Sequence, residues 1–243
     1  MSPRKSCSVK RLLISHFSFP NLSLQEFPKR FVFRFCFPYN YVSLPRGGDI
    51  GGVLDESFRI PLFDDWETGD PTRRLPVDFR TGWNEKGLLF SVKISGKKQR
   101  PWCRLTQPEE SEGIQICLDT RDVRNVHRAT RYCHRFAFLP LGRGPEGKEP
   151  AVLWFPIHRA KGHPNTVAVE RITIQSEIFP DGYRIDAKIP GDVLTGYDPE
   201  EHPRLGFHYY IVDKEYGNQP LLVGPPFPYD QDPSLWGTLE CQR

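Results

Sequence analysis

The chain has 243 residues, enough to bury a core as a single β-sandwich or barrel. Aromatic residues make up 13% of it, which argues against a disordered polypeptide, and 24 Pro with 20 Gly mark frequent turns. The net charge of +3 is uneven: residues 1–50 hold eight basic and two acidic residues, +6, and the remainder carries −3, unlike the basic folded surface of a nucleic-acid binder.

Residues 1–28 are basic, Ser-rich and aperiodic, and read as a disordered or mis-assigned N-terminal tail ahead of a domain over 29–243. The apolar stretch Leu12–Ile14 is too short for the core of an export signal. No apolar run approaches the roughly 20 residues of a membrane span. Cys7, Cys36, Cys103, Cys117, Cys133 and Cys241 show no CxxC or zinc-ribbon spacing. Cys36, Cys117 and Cys133 fall within predicted strands and read as small core residues, which favours a reducing, cytoplasmic setting.

Phenylalanine at every second position over Phe31–Phe37 predicts a strand with one buried face. Residues 45–82 read as long loops with an edge strand near Phe58–Leu62. After the turn at Asn84–Gly87, Leu88, Phe90, Val92 and Ile94 alternate with other residues. The same period recurs in Ile114, Ile116 and Leu118, and in His134, Phe136 and Phe138. Further strands are predicted at Val152–Phe155, Val167–Ile174, Tyr183–Ile189, Leu205–Val212, Leu221–Val223 and Trp236–Cys241. One helical turn is predicted at Pro190–Leu194, with Asp192 as its cap. The pattern predicts an all-β fold: an antiparallel β-sandwich, immunoglobulin-like or jelly-roll, with long loops.

Gly142, Gly144, Gly147 and Lys148 satisfy GxGxxG and most of GxxxxGK. Both motifs need a helix to follow; here Pro145 removes an amide and Pro150 precedes a strand, so a surface hairpin is expected. No GxSxG or HExxH is present. The densest polar stretch runs from Asp119 to His134. Arg121, Arg124, Asn125 and His127 make it a candidate ligand-binding loop, because guanidinium forks hold hydroxyls or anions. The alternatives are a loop pinned by its own Arg–Asp pairs, or a metal held by His127, Cys133 and His134. Trp66, Trp83, Trp102, Trp154, Trp236 and Tyr229 are candidate sugar-stacking faces. Trp102, between Arg100 and Arg104 in a loop without apolar alternation, is the best candidate for an exposed platform, whereas Trp83 and Trp236 adjoin strands and read as core.

Three stretches carry a family resemblance: Trp83–Val92, Glu112–Asp119 and Asp232–Leu239. They are similar to the WxxxxLYFxV strand pair, the DxVExFxD strand and the closing DPSxxGxL strand of family 9 carbohydrate-binding modules and the related DOMON-like domains. Asn125–His134 resembles a bacterial branch of that superfamily. The resemblance implies a sandwich that grips a sugar between two tryptophans, with a Glu and an Arg bonding its hydroxyls and a calcium bound structurally. By position the Glu falls on Gln115 and the Arg on Arg135. The first tryptophan has a displaced counterpart in Trp102, and the place of the second holds Tyr229 and Asp230. Some DOMON relatives bind haem through Met and His, which Met1 as the sole methionine does not support.

The expected function is therefore a non-catalytic domain that binds a saccharide or polysaccharide through Trp102, Gln115, Arg135 and Tyr229, with no cofactor beyond the implied calcium. One alternative is a structural or interaction domain whose 121–135 loop meets a protein partner. The other is an accessory of a polysaccharide-processing hydrolase.

Overall fold

The computed structural model describes residues 35–43, 50, 52–61, 76–123 and 125–243. The predicted tail, Trp66, Arg124, Cys7, Phe31–Arg34 and Leu62 lie outside them. The described residues belong to one compact unit. Its strands are β1 (Cys36–Asn40), β2 (Val77–Asn84), β3 (Gly87–Ile94), β4 (Gly113–Asp119), β5 (Cys133–Arg143) and β6 (Glu149–Phe155). They continue as β7 (Thr173–Phe179), β8 (Gly182–Pro190), β9 (Arg204–Val212), β10 (Gln219–Pro220) and β11 (Gly237–Gln242).

The strands form two sheets packed as a sandwich. The larger runs β1-β11-β9-β4-β5-β6, with β10 also on β9; the smaller runs β2-β3-β8-β7. Pairing is antiparallel throughout except between β1 and β11, which are parallel. The period-2 alternation explains the interior. Leu88, Phe90, Val92 and Ile94 of β3 face Ile114, Ile116 and Leu118 of β4 and Phe136 and Phe138 of β5 in one apolar layer. Phe79 stacks on Tyr209 with centroids 4.9 Å apart, and Phe90 meets Phe138 edge-on at 4.6 Å. Each such ring stabilises the sandwich by about 1.5–3 kcal/mol through burial. Trp83 and Trp236 are core residues, as predicted.

Several local expectations are corrected. Val77–Asn84, placed mostly in a loop, is edge strand β2, whose Val77, Phe79, Thr81 and Trp83 alternate inward. The edge strand near Phe58 shrinks to a 3-10 turn, Glu56–Phe58, and one bridge between Arg59 and Arg80. The strand predicted from Val167 starts at Thr173, because Val169–Arg171 form a 3-10 turn; it then runs to Phe179 through Gln175 and Glu177, whose polarity suits an exposed edge. The turn at Gly191–Val193 is 3-10 and starts from Pro190; Asp192 pairs with Arg171 at 2.5 Å instead of capping it. Cys36 is exposed, while Cys117 and Cys133 are buried. Gly142–Lys148 is the expected hairpin, closed by Gly142 N–H donating to Gly147 O at 2.9 Å. No described helix is long and apolar enough to cross a membrane.

Candidate functional site

Alternation along β4, β5 and β9 sends a second set of side chains to the outer face of the larger sheet. Register places Arg135 beside Cys117 and Cys117 beside His208, with Phe155 on the far side of Arg135. The next row holds Ala137, Gln115 and Tyr210. This face is not open to solvent. The 102–112 loop folds over one part and the 221–236 segment over another, and Gln115, Arg135, Tyr210 and Tyr229 are all buried. The 102–112 loop is tied by Glu112 N–H donating to Trp102 O at 2.9 Å and Arg104 N–H donating to Ser111 Oγ at 2.8 Å. It enters β4 through Gly113 at φ +151°, where a Cβ would collide with the Phe138 carbonyl.

Arg135 is the centre of the cluster. Its Nη2 donates to Gln115 Oε1 at 2.8 Å and lies 2.9 Å from Glu109 Oε1; its Nη1 donates to Asp230 Oδ2 at 3.3 Å. The guanidinium carbon sits 5.3 Å from the Phe155 ring centre, a cation–π distance. Gln115 Nε2 donates to Glu109 O at 3.1 Å, so one glutamine grips both the loop backbone and the arginine. Arg135 Nε is buried and has no acceptor. The loop thus brings the negative charge of Glu109 to the same guanidinium. The Arg135 side chain is 9% exposed, against 57% for Glu109 and 29% for Asp230, so the carboxylates form the solvent side.

Tyr229 supplies an aromatic wall. It stacks on Tyr210 at 4.9 Å and lies 5.1 Å from His208, while its carbonyl accepts from Trp236 Nε1 at 2.6 Å. His208 is fully buried. Burial pushes its pKa down to about 3, against an opposing contribution from the Val223 backbone. Burial also raises the Cys117 and Cys133 thiols to about 12. They are therefore protonated near neutral pH and unsuited as nucleophiles. The cluster offers donors and acceptors that can orient hydroxyls.

The structure brings Gln115, Arg135 and Tyr229 to this face and places the other candidates elsewhere. Trp102 is half-buried, with Arg104 and Lys214 5.3 and 5.1 Å from its ring, so it is not a bare platform. No described contact joins it to Arg135. Arg121 donates to Gly196 O and lies 4.6 Å over the Tyr132 ring. Asn125 is exposed. His127 Nδ1 lies 3.0 Å from Ser234 Oγ and 3.3 Å from Asp232 Oδ2. Both partners use one ring nitrogen, whereas a catalytic triad needs one on each. The 119–134 loop is held mainly by side chains bonding backbone: Asp119 accepts from the Arg121 and Val123 amides, each at 3.0 Å. His127, Cys133 and His134 do not converge. His134 points into the sandwich core and Cys133 to the opposite face, and no metal-binding group of His, Cys, Asp and Glu occurs among the described residues.

A second charged cluster lies under the same loop. Lys97 Nζ is 2.7 Å from Glu112 Oε1 and 2.5 Å from Asp213 Oδ2, all three buried. Desolvation alone would lower the lysine pKa, yet its bonds to Asp213 and Glu112 leave it raised above 10.5. This carboxylate pair already has its cation, so a calcium ion fits here only by displacing the ammonium.

Glu109, Phe155 and His208 were not among the residues chosen from sequence, and Asp230 was named only as standing with Tyr229 in the place of the second tryptophan. Asp230 adjoins Tyr229 in the segment before the closing motif and was findable; Glu109 sits in an aperiodic loop and carries no local signal.

No family model matches the sequence, and no curated protein does. Solved structures do. A family 9 carbohydrate-binding module from Caldicellulosiruptor kristjanssonii in complex with cellotriose superposes with TM-score 0.56 at 14% identity, covering 86% of this chain and 94% of that one. A family 9 module from the same organism in complex with glucose gives 0.54 at 14%, covering 85% and 95%. A protein of Bacteroides uniformis, whose carbohydrate binding is itself an assignment, gives 0.54 at 10%, covering 86% and 99%. At such identities the likeness is one of fold.

Proposed function

We propose that this chain, which has the fold of family 9 carbohydrate-binding modules, is a non-catalytic domain that binds a saccharide on the outer face of its larger sheet. The observation that carries the reading is Arg135, held by Gln115, Glu109 and Asp230 on a sheet face with Tyr229 and Phe155 on it. Paired polar groups bond hydroxyls, and aromatic rings take the apolar faces of a pyranose. Access requires the 102–112 loop or the Tyr229–Asp230 segment to move aside. The neighbours' ligands, cellotriose and glucose, make glucans the first glycans to try.

The test is affinity electrophoresis against soluble polysaccharides, run with calcium and again with chelator. At least one glycan retards the protein, equally in both buffers, and Arg135→Ala abolishes the retardation. A second reading, a structural or protein-interaction domain, is favoured by the burial of Arg135 and its internal partners. Retardation by no glycan would select it.

A further inference from the structure

The partners of Arg135 restrict what a ligand can be. A ligand approaching this face meets two carboxylates, Glu109 and Asp230, before it meets the guanidinium. The Nε–H of the same arginine is buried without an acceptor. The chemistry offered is mixed: the outer groups accept hydrogen bonds, and the inner group needs an acceptor. A hydroxyl meets both demands, since it donates through its hydrogen and accepts through its oxygen. Two adjacent hydroxyls span carboxylate and guanidinium together. A carboxylate, sulfate or phosphate only accepts, and its charge would come to rest against Glu109 and Asp230, where like charges repel.

We infer that Glu109, with Asp230, makes this face selective for neutral vicinal diols and closes it to acidic sugars. The inference rests on the saccharide reading and adds its charge class. Glu109 is the residue to test, because its side chain is more than half exposed and Glu109→Gln keeps an acceptor for Nη2 while removing the charge. Its main-chain carbonyl, which receives Gln115 Nε2, is untouched by the substitution.

The experiment measures retention on matched neutral and acidic polysaccharides, for the wild type and Glu109→Gln, with the melting temperature as a check on folding. The pairs are hydroxyethylcellulose with carboxymethylcellulose, arabinoxylan with glucuronoxylan, and methyl-esterified with de-esterified galacturonan. The wild type is expected to retain the neutral member of at least one pair roughly tenfold more strongly than its acidic counterpart, as like-charge exclusion requires. Glu109→Gln is expected to narrow that gap, read as the ratio of neutral to acidic retention so that a loss common to both leaves it unchanged, and added salt to narrow it in the wild type. Wild-type retention of an acidic member equal to or stronger than its neutral partner would overturn the inference and leave the saccharide reading standing. An unchanged gap in Glu109→Gln would overturn the assignment to Glu109. Retention of no member of any pair would remove the saccharide reading and the inference together.

Discussion

The two outer faces of the sandwich treat charge in opposite ways. On the smaller sheet, ion pairs are local and their arginines are part-exposed: Arg80 with Asp78 at 2.6 Å, two residues apart on β2, and Arg184 with Glu177 at 3.2 Å across the β7–β8 ladder. On the larger sheet, Arg135 is buried, and its partners arrive from a loop before β4 and from a segment 95 residues further along the chain. Strand-local pairs form wherever opposite charges fall on one face, and they contribute little. Charges gathered from distant segments under cover must each be satisfied, so they hold loops in place and define a site.

The largest test of this contrast removes the deepest cation. Lys97→Met leaves Glu112 and Asp213 buried beside each other and is expected to cost about 3–5 kcal/mol in denaturant unfolding at pH 7. A cost near zero would mean the cluster is no more than a surface ion pair, and the contrast would fail.

Acid is expected to weaken the fold through buried imidazoles. Burial lowers the folded pKa of His134 to about 4 and of His208 to about 3, from an ordinary 6.5. Between 6.5 and these values the unfolded chain binds more protons, so stability is complete above pH 6.5 and falls as pH drops towards 4 and 3. Each histidine contributes roughly 1.4 kcal/mol per pH unit in its window. His208→Leu should flatten part of this decline in urea titrations between pH 7 and 4, and a stability unchanged over that range would show that the two rings are not buried neutral.

Arg135→Lys sharpens the comparison at the site. The lysine keeps the charge and loses the fork that reaches Gln115 and Asp230 together, so about 1–3 kcal/mol of stability should go, along with polysaccharide retention. Full retention by that variant would mean that charge alone suffices. The smallest effect belongs to the open face: Glu177→Ala should change stability by about 0.5 kcal/mol or less and leave retention untouched.

Much of the sandwich was legible in the sequence because burial on one face imposes a period of two. Phe136 and Phe138 point inward for the reason that Arg135 and Ala137 do not. The same parity placed Gln115 and Arg135 on the outer face. Failures fell at edge strands, where polar residues or a Pro- and Gly-rich approach mask that period. Edge strand β7 has too many polar residues to read as a strand, and β2 follows directly on Pro- and Gly-rich chain.

The sequence by itself determined the strands of the centre, the face on which Arg135 and Gln115 stand, and that a strand rather than a helix follows the Gly142–Lys148 loop, all consequences of local side-chain alternation and turn chemistry. The tertiary structure alone decided that this face is roofed, that Arg104 and Lys214 both approach the Trp102 ring, and that Glu109 and Asp230 meet at one guanidinium. The reason is physical: a strand's alternation is written in adjacent residues, whereas the pairing of a buried charge depends on where loops close in space, and no local pattern encodes that.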